Sequence, residues 1–123
     1  MYFLDTSAIL ELLYGTEKGE QIRDVITEKP LAISSITIHE LFVGLKEKEL
    51  LPLTNFLREI TVLDFDKKSA LKSAELAREL KKKGKMINAI DLFIAATNLV
   101  HGYRLITCDR HFLKIEQLDA QVF

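Results

Sequence analysis

Extended apolar runs alternate with stretches of helical periodicity along the whole chain, and no Pro/Gly/Ser-rich linker, low-complexity tract or internal repeat separates them. That alternation specifies α/β layering more tightly than any other property of the sequence. Residues 2–5 read as a short buried strand, and residues 6–14 and 17–28 as helical segments parted by Gly15-Thr16. Pro30 then resets the chain. A second strand is expected over 31–34, a helix over 35–48, a short helix opened or preceded by Pro52 and running through Arg58, and a third strand over 60–63. Residues 66–83 form a long amphipathic pattern with Ala70, Leu71, Ala74, Ala77 and Leu80 on related faces, closed by Lys81-Lys82-Lys83-Gly84. A helix over 88–101 stops at Gly102, a fourth strand covers 104–107, and 118–122 reads as a fifth, short edge strand.

A chain of 123 residues fits one compact domain spanning 1–123, with enough apolar content to bury a core. Seventeen Lys and Arg against eighteen Asp and Glu leave a formal charge of −1, so nothing in the bulk charge draws the chain to nucleic acid or an anionic membrane. Any such partner has to be held locally. The single cysteine, Cys108, rules out an internal disulfide and a multi-cysteine zinc site, and suits a reducing compartment. Apolar stretches are broken by charge before reaching about 18 to 20 residues, and Met1-Tyr2-Phe3-Leu4-Asp5 enters structure without a basic or apolar leader. The expectation is a soluble, cytoplasmic protein with no membrane partner.

Four acids stand out against this background. Asp5 and Asp109 sit where strands end, and Glu40 and Asp91 lie in helices that are otherwise largely apolar. Ligands of open parallel sheets bind beyond the carboxyl ends of the strands, so Asp5 and Asp109 point to one rim. A helical wheel surrounds Glu40 with apolar residues on most of the circumference, and Gly44 one turn later suggests a close approach. Each acid also has a plain structural reading. Asp5 and Asp109 can cap the turns that follow them, Glu40 can close a capping box with Thr37, and Asp91 can pair with an Asn88 cap. If the four converge, mutual repulsion raises their pKa values and a divalent cation relieves it. An all-oxygen donor set suits Mg²⁺ or Mn²⁺ better than zinc, and such an ion can activate water and bind phosphate oxygens.

The segments Phe3-Leu4-Asp5-Thr6-Ser7-Ala8, Ser34-Ser35-Ile36-Thr37-Ile38-His39-Glu40-Leu41-Phe42-Val43-Gly44, Asp91-Leu92-Phe93-Ile94-Ala95-Ala96, and Leu105-Ile106-Thr107-Cys108-Asp109 followed by Phe112 occur in this order across nearly the whole chain. Together they resemble the PIN-domain ribonucleases, and among them the VapC-type toxins of toxin–antitoxin pairs. The resemblance implies a three-layer α/β/α sandwich with a central, mainly parallel sheet of about five strands. It implies Asp5, Glu40, Asp91 and Asp109 as catalytic and metal-holding residues for Mg²⁺ or Mn²⁺, with Thr107 as a nearby hydroxyl that orients a carboxylate or a metal-bound water. It further implies in-line hydrolysis of RNA to 5′-phosphate and 3′-hydroxyl ends, a cognate antitoxin as partner, and a homodimer.

Other features fit around this reading. Lys81, Lys82, Lys83 and Lys85 suit a solvated helix end, whereas Arg104, Arg110 and Lys114 are the better RNA-contact candidates. His39, His101 and His111 are dispersed and read as structural or surface residues; His39-Glu40 is no zinc protease motif, because Val43 stands where the second histidine belongs. The apolar residues of 66–83 and 50–57 are expected in the core. Competing classes are a non-catalytic PIN-like module that binds RNA or protein, and a phosphoacceptor receiver using Asp64 or Asp66. The receiver lacks its adjacent acids, since Asp5 is followed by Thr6-Ser7, and a dehalogenase-type phosphatase lacks the second Asp where Ser7 stands.

Overall fold

The computed structural model describes all 123 residues. Five strands, β1 (Tyr2–Leu4), β2 (Leu31–Ser34), β3 (Thr61–Leu63), β4 (Arg104–Thr107) and β5 (Ala120–Val122), form one sheet of order β3-β2-β1-β4-β5. Every pairing is parallel, so each connection has to cross over rather than turn back as a hairpin. Six α-helices lie along these connections: α1 (Thr6–Tyr14), α2 (Glu17–Ile26), α3 (Ser35–Gly44), α4 (Leu50–Leu57), α5 (Lys67–Lys82) and α6 (Ala89–His101). Short 3-10 turns occupy Glu47–Glu49 and Arg110–Lys114.

The register makes the sheet the middle of three layers. Phe3 lies beside Ala32 and Leu105, and Leu4 beside Ile33 and Ile106. Successive side chains of a strand point to opposite faces. Phe3, Ala32 and Leu105 therefore enter one core with Leu76 and Leu80 of α5 and Ile94 and Ala95 of α6. Leu4, Ile33 and Ile106 enter a second core with Ala8, Ile9, Ile22, Leu41 and Leu53 of α1 to α4. The α/β/α sandwich that the resemblance implies is what forms.

Chain order then locates the crevice. The sheet grows from β1 outward through β2 to β3, and the chain returns to the opposite side of β1 for β4 and β5. The direction reverses between β1 and β4, so the rim beyond their carboxyl ends is the topological switch point where ligands of such sheets bind. Receiver domains use the order 2-1-3-4-5 instead, and the β3 that precedes Asp64 and Asp66 is here an edge strand. Asp66 is exposed and caps α5 by accepting from the Ser69 N–H at 2.9 Å, and the edge position of β3 sets both Asp64 and Asp66 away from the switch point, against the phosphoacceptor alternative.

Several local expectations need correction. The helix after β2 ends at Gly44 rather than at residue 48, because Leu45 is extended and the Lys46 N–H is taken by Glu49 at 2.8 Å. This helix is not buried nearly all round: Val43 is 73% exposed, and Phe42 and Gly44 face solvent. No close approach occurs at Gly44, where an added Cβ meets nothing, whereas at Gly19 it would overlap the Glu11 backbone. Helix α5 buries Ser69, Ser73, Leu76 and Leu80 and leaves Ala70, Leu71 and Ala74 outside. The small serines suit close helix packing, and Ser73 returns its hydroxyl to the Ala70 carbonyl at 2.8 Å. Helix α4 contributes Leu53 to the core but exposes Leu51, and it starts at Leu50, with Pro52 in the first turn where its missing N–H is harmless. No helix is long and apolar enough to cross a membrane.

Candidate active site

Asp5 is the first residue beyond β1 and caps α1. Its Oδ1 accepts from the Ala8 N–H at 2.9 Å and the Ser7 hydroxyl at 2.8 Å. Its Oδ2 accepts from the Thr107 hydroxyl at 2.6 Å, so a bond crosses the switch point from β4 to β1. The two hydroxyls are themselves anchored. Thr107 Oγ1 accepts from the Asp109 N–H and Ser7 Oγ from the Cys108 N–H, each at 2.9 Å. Only 4% of Asp5 is exposed, and burial pushes its carboxyl up from 3.8 to about 6, against the three donors, with the Asp91 charge adding to the rise.

Asp91 stands in the first turn of α6, whose carboxyl end feeds β4, so its amino end lies at the same rim as the strand ends. Asn88 and Asp91 cap each other: the Asp91 N–H donates to Asn88 Oδ1 at 2.9 Å, and Asn88 Nδ2 donates to Asp91 Oδ2 at 2.7 Å. Its carboxyl is pushed up, first by desolvation and then by the charges of Asp109 and Glu40, while Asn88 and His111 oppose the rise. Asp109 follows β4 and caps the 3-10 turn, its Oδ1 accepting from the His111 N–H at 2.9 Å with His111 Nδ1 2.8 Å away. Glu40, in the second turn of α3, accepts from the Thr6 hydroxyl at 2.6 Å. It forms no capping box with Thr37; Ser34 caps α3 through the Ile36 N–H at 3.1 Å, and Thr37 Oγ1 is buried without a partner.

Three of the four acids, Asp5, Asp91 and Asp109, thus cap a helix or turn at the rim where the strands end. Each peripheral carboxylate has one oxygen engaged by protein donors and one uncommitted: Asp91 Oδ1, Asp109 Oδ2 and Glu40 Oε2. The charges of Asp109 and Glu40 are felt at Asp91, and that of Asp91 at Asp5, so the four share one field. No three His, Cys, Asp or Glu side chains draw together into a ready-made metal cage. The donor set, carboxylates and hydroxyls without thiolate, fits a hard divalent cation, and such an ion would relieve the part of the Asp91 rise that comes, after desolvation, from the Asp109 and Glu40 charges.

Thr6, Ser7 and His111 join the site although sequence reasoning gave them no role there. The signal for the first two was present in Asp5-Thr6-Ser7, hydroxyls in the first turn after a strand-end acid. Arg104 begins β4 and pairs with Asp119 at 3.7 Å, so it stands at the amino end of the strand and not at the proposed rim. Lys114 instead donates to the Met86 carbonyl at 3.0 Å, and Lys83 pairs with Glu116 at 3.5 Å, tying the 3-10 turn to the segment between α5 and α6. Arg110 and His111 are exposed beside Asp109. His39 is exposed, and His101 stacks on Tyr103.

Residues 2–118 match the PIN domain. Ribonuclease VapC2 of Rickettsia felis is 34% identical over 96% of this chain and 94% of its own length. Ribonuclease VapC2 of Haemophilus influenzae is 29% identical over 98% of this chain and 96% of its own. Among solved structures, VapBC2 from Rickettsia felis bound to a DNA fragment from its promoter superposes with a TM-score of 0.87 at 27% identity, covering 99% of this chain and 98% of that one. VapBC-1 from nontypeable Haemophilus influenzae superposes with a TM-score of 0.80 at 29% identity, covering 98% and 96%. The acids at the switch point, the sheet that brings them there and these likenesses agree: the chain belongs to the PIN-domain family, among the VapC ribonucleases.

Proposed function

We infer that this chain is a metal-dependent endoribonuclease and the toxin half of a toxin–antitoxin pair. The observation that carries this reading is the Thr107 to Asp5 hydrogen bond across the switch point, supported by Asp91 and Asp109 at helix and turn starts on the same rim and by the Glu40 charge felt at Asp91. These four carboxylates would hold Mg²⁺ or Mn²⁺, which when bound supplies charge for the phosphate oxygens and lowers the pKa of water. Thr107 and Ser7 fix both oxygens of Asp5, so its direction is set before anything binds. Asn88 and the 3-10 turn do the same for one oxygen each of Asp91 and Asp109. With a net charge of −1, RNA has to be gripped locally, and Arg110 and His111, which follow Asp109 in the 3-10 turn, are the exposed cations beside the acids.

The antitoxin reading draws on the relatives solved as VapBC complexes and on an apolar cleft of about 290 Å³ between α1, α2 and α4, where Ile9, Leu12, Ile26 and Phe56 surround a single charge, Arg23. A cleft of this kind suits an amphipathic peptide. Self-association would draw on the adjacent exposed apolar side chains Phe42 and Val43 of α3.

The deciding experiment is cleavage of a structured RNA by purified protein. Scission is expected with Mn²⁺, none in EDTA, and a loss of about a hundredfold or more for Asp91→Asn. Cleavage that survives both controls would assign the activity to another nuclease, and RNA binding without any cleavage would return the non-catalytic module.

A further inference from the structure

We propose that Thr6 is the positioning residue for Glu40, and that cation affinity and turnover at this rim depend on its hydroxyl; the proposal rests on the nuclease reading above. Glu40 is half-buried, has no Lys, Arg or His within ion-pair distance, and receives one side-chain hydrogen bond, from Thr6 Oγ1 at 2.6 Å. A glutamate held by nothing else samples several rotamers, and holding it in one carries an entropic cost. Thr6 supplies the restraint from an unusual place. It is the residue after Asp5 and the first of α1, and its hydroxyl reaches across 34 positions to α3 instead of bonding to its own helix. A β-branched side chain has few χ1 choices, so the donor is itself stiff.

The first turn of α1 therefore orients two of the four acids. Asp5 is held by the Ala8 N–H and the Ser7 hydroxyl, and Glu40 by the Thr6 hydroxyl. With Oε1 engaged, Oε2 is the free oxygen of Glu40. The pair borders a small groove of about 100 Å³ with Tyr14 and Gly44, so it is reachable from solvent. Partners that orient a metal-binding carboxylate typically control affinity or activity by roughly 10- to 100-fold.

The test compares wild type with Thr6→Val, which keeps the shape and removes the donor, with Thr6→Ser, which keeps the donor, and with Glu40→Gln alone and combined with Thr6→Val. Mn²⁺ binding is measured by titration calorimetry, and kcat and KM on a structured RNA. Thr6→Val is expected to weaken Mn²⁺ binding about tenfold and to lower kcat by roughly 10- to 100-fold, with KM within about twofold. Thr6→Ser is expected to return both to within about threefold, and Thr6→Val to add less than about twofold in the Glu40→Gln background. Unchanged Mn²⁺ affinity in Thr6→Val, failure of Thr6→Ser to rescue, or an undiminished penalty in the Glu40→Gln background each overturns the proposal. Should Thr6→Val not fold, Thr6→Ala removes the same donor and carries the same expectations. A wild type that neither binds Mn²⁺ nor cuts RNA overturns the nuclease reading itself; an active wild type matched by Thr6→Val overturns the role of Thr6 alone.

Discussion

Burial and hydrogen bonding act on the Asp5 carboxyl in opposite directions, and burial wins. The consequence is a stability that depends on pH. The folded chain holds the Asp5 proton up to about pH 6, whereas an unfolded aspartate releases it near 3.8. Between these values the unfolded state is the better proton donor, so stability falls as pH rises through the window, by about 3 kcal/mol on completion. The Asp91 shift runs in the same direction. Asp5→Asn keeps a good N-cap and removes the charge, so in EDTA it should be more stable than wild type at pH 7.5, with the gain shrinking towards pH 4.5. Urea melts at the two pH values check this; a gain of equal size at both would sink the account. At this scale the sequence was informative about the acids and their caps, because capping is a short-range pattern. The Thr37 box failed because Ser34 is closer to the start of α3 and takes the capping role. Thr6 escaped notice because its partner is distant in the chain, and short-range spacing says nothing of such a bond.

Element boundaries followed from local chemistry wherever a cap or a left-handed residue punctuates the chain. Gly15 at φ 63° and Gly102 at φ 71° end α1 and α6 where they were expected to. Which face of a helix is buried was harder to read. In α5 the alanines and Leu71 suggested one face, but contact with α6 selects another, lined by small serines that let the helices approach. The glycines make the same point with opposite signs. Gly19 is buried in the first turn of α2 against the Glu11 backbone, and α1 and α2 pack closely through it. Gly19→Ala should therefore cost about 2 kcal/mol or more, despite the better helix propensity of alanine, and lower the melting temperature by roughly 5–10 °C. Gly44→Ala, at an open helix end, should be neutral or stabilising by up to about 1 kcal/mol. Thermal melts of both variants decide the matter, and equal losses would show that α1 and α2 can slide apart at little cost.

For the whole molecule, the site exists only because a parallel sheet reverses its winding between β1 and β4. Asp5 and Thr107 are 102 positions apart and meet at 2.6 Å, while α3 and α6 deliver Glu40 and Asp91 from other crossovers. Strand ends and helix starts could be read from the sequence, and with them the rim; the sheet order that unites them is non-local. Carboxylates gathered by folding repel in the folded state more than in the unfolded chain, so an ion that binds them couples directly to stability. Mn²⁺ at about a hundred times its dissociation constant should add about 2.7 kcal/mol, a rise in melting temperature of roughly 10 °C. Simple screening by a monovalent salt at matched ionic strength should give far less, because Asp5 is buried and poorly screened. Asp5→Asn should start from a higher melting temperature in EDTA and respond to Mn²⁺ less than wild type does, since it has lost both the repulsion and a donor. If wild type and Asp5→Asn shift equally, the ion binds elsewhere and the four acids are not one site; if only wild type responds, the Asp5 carboxylate is among the groups the cation binds.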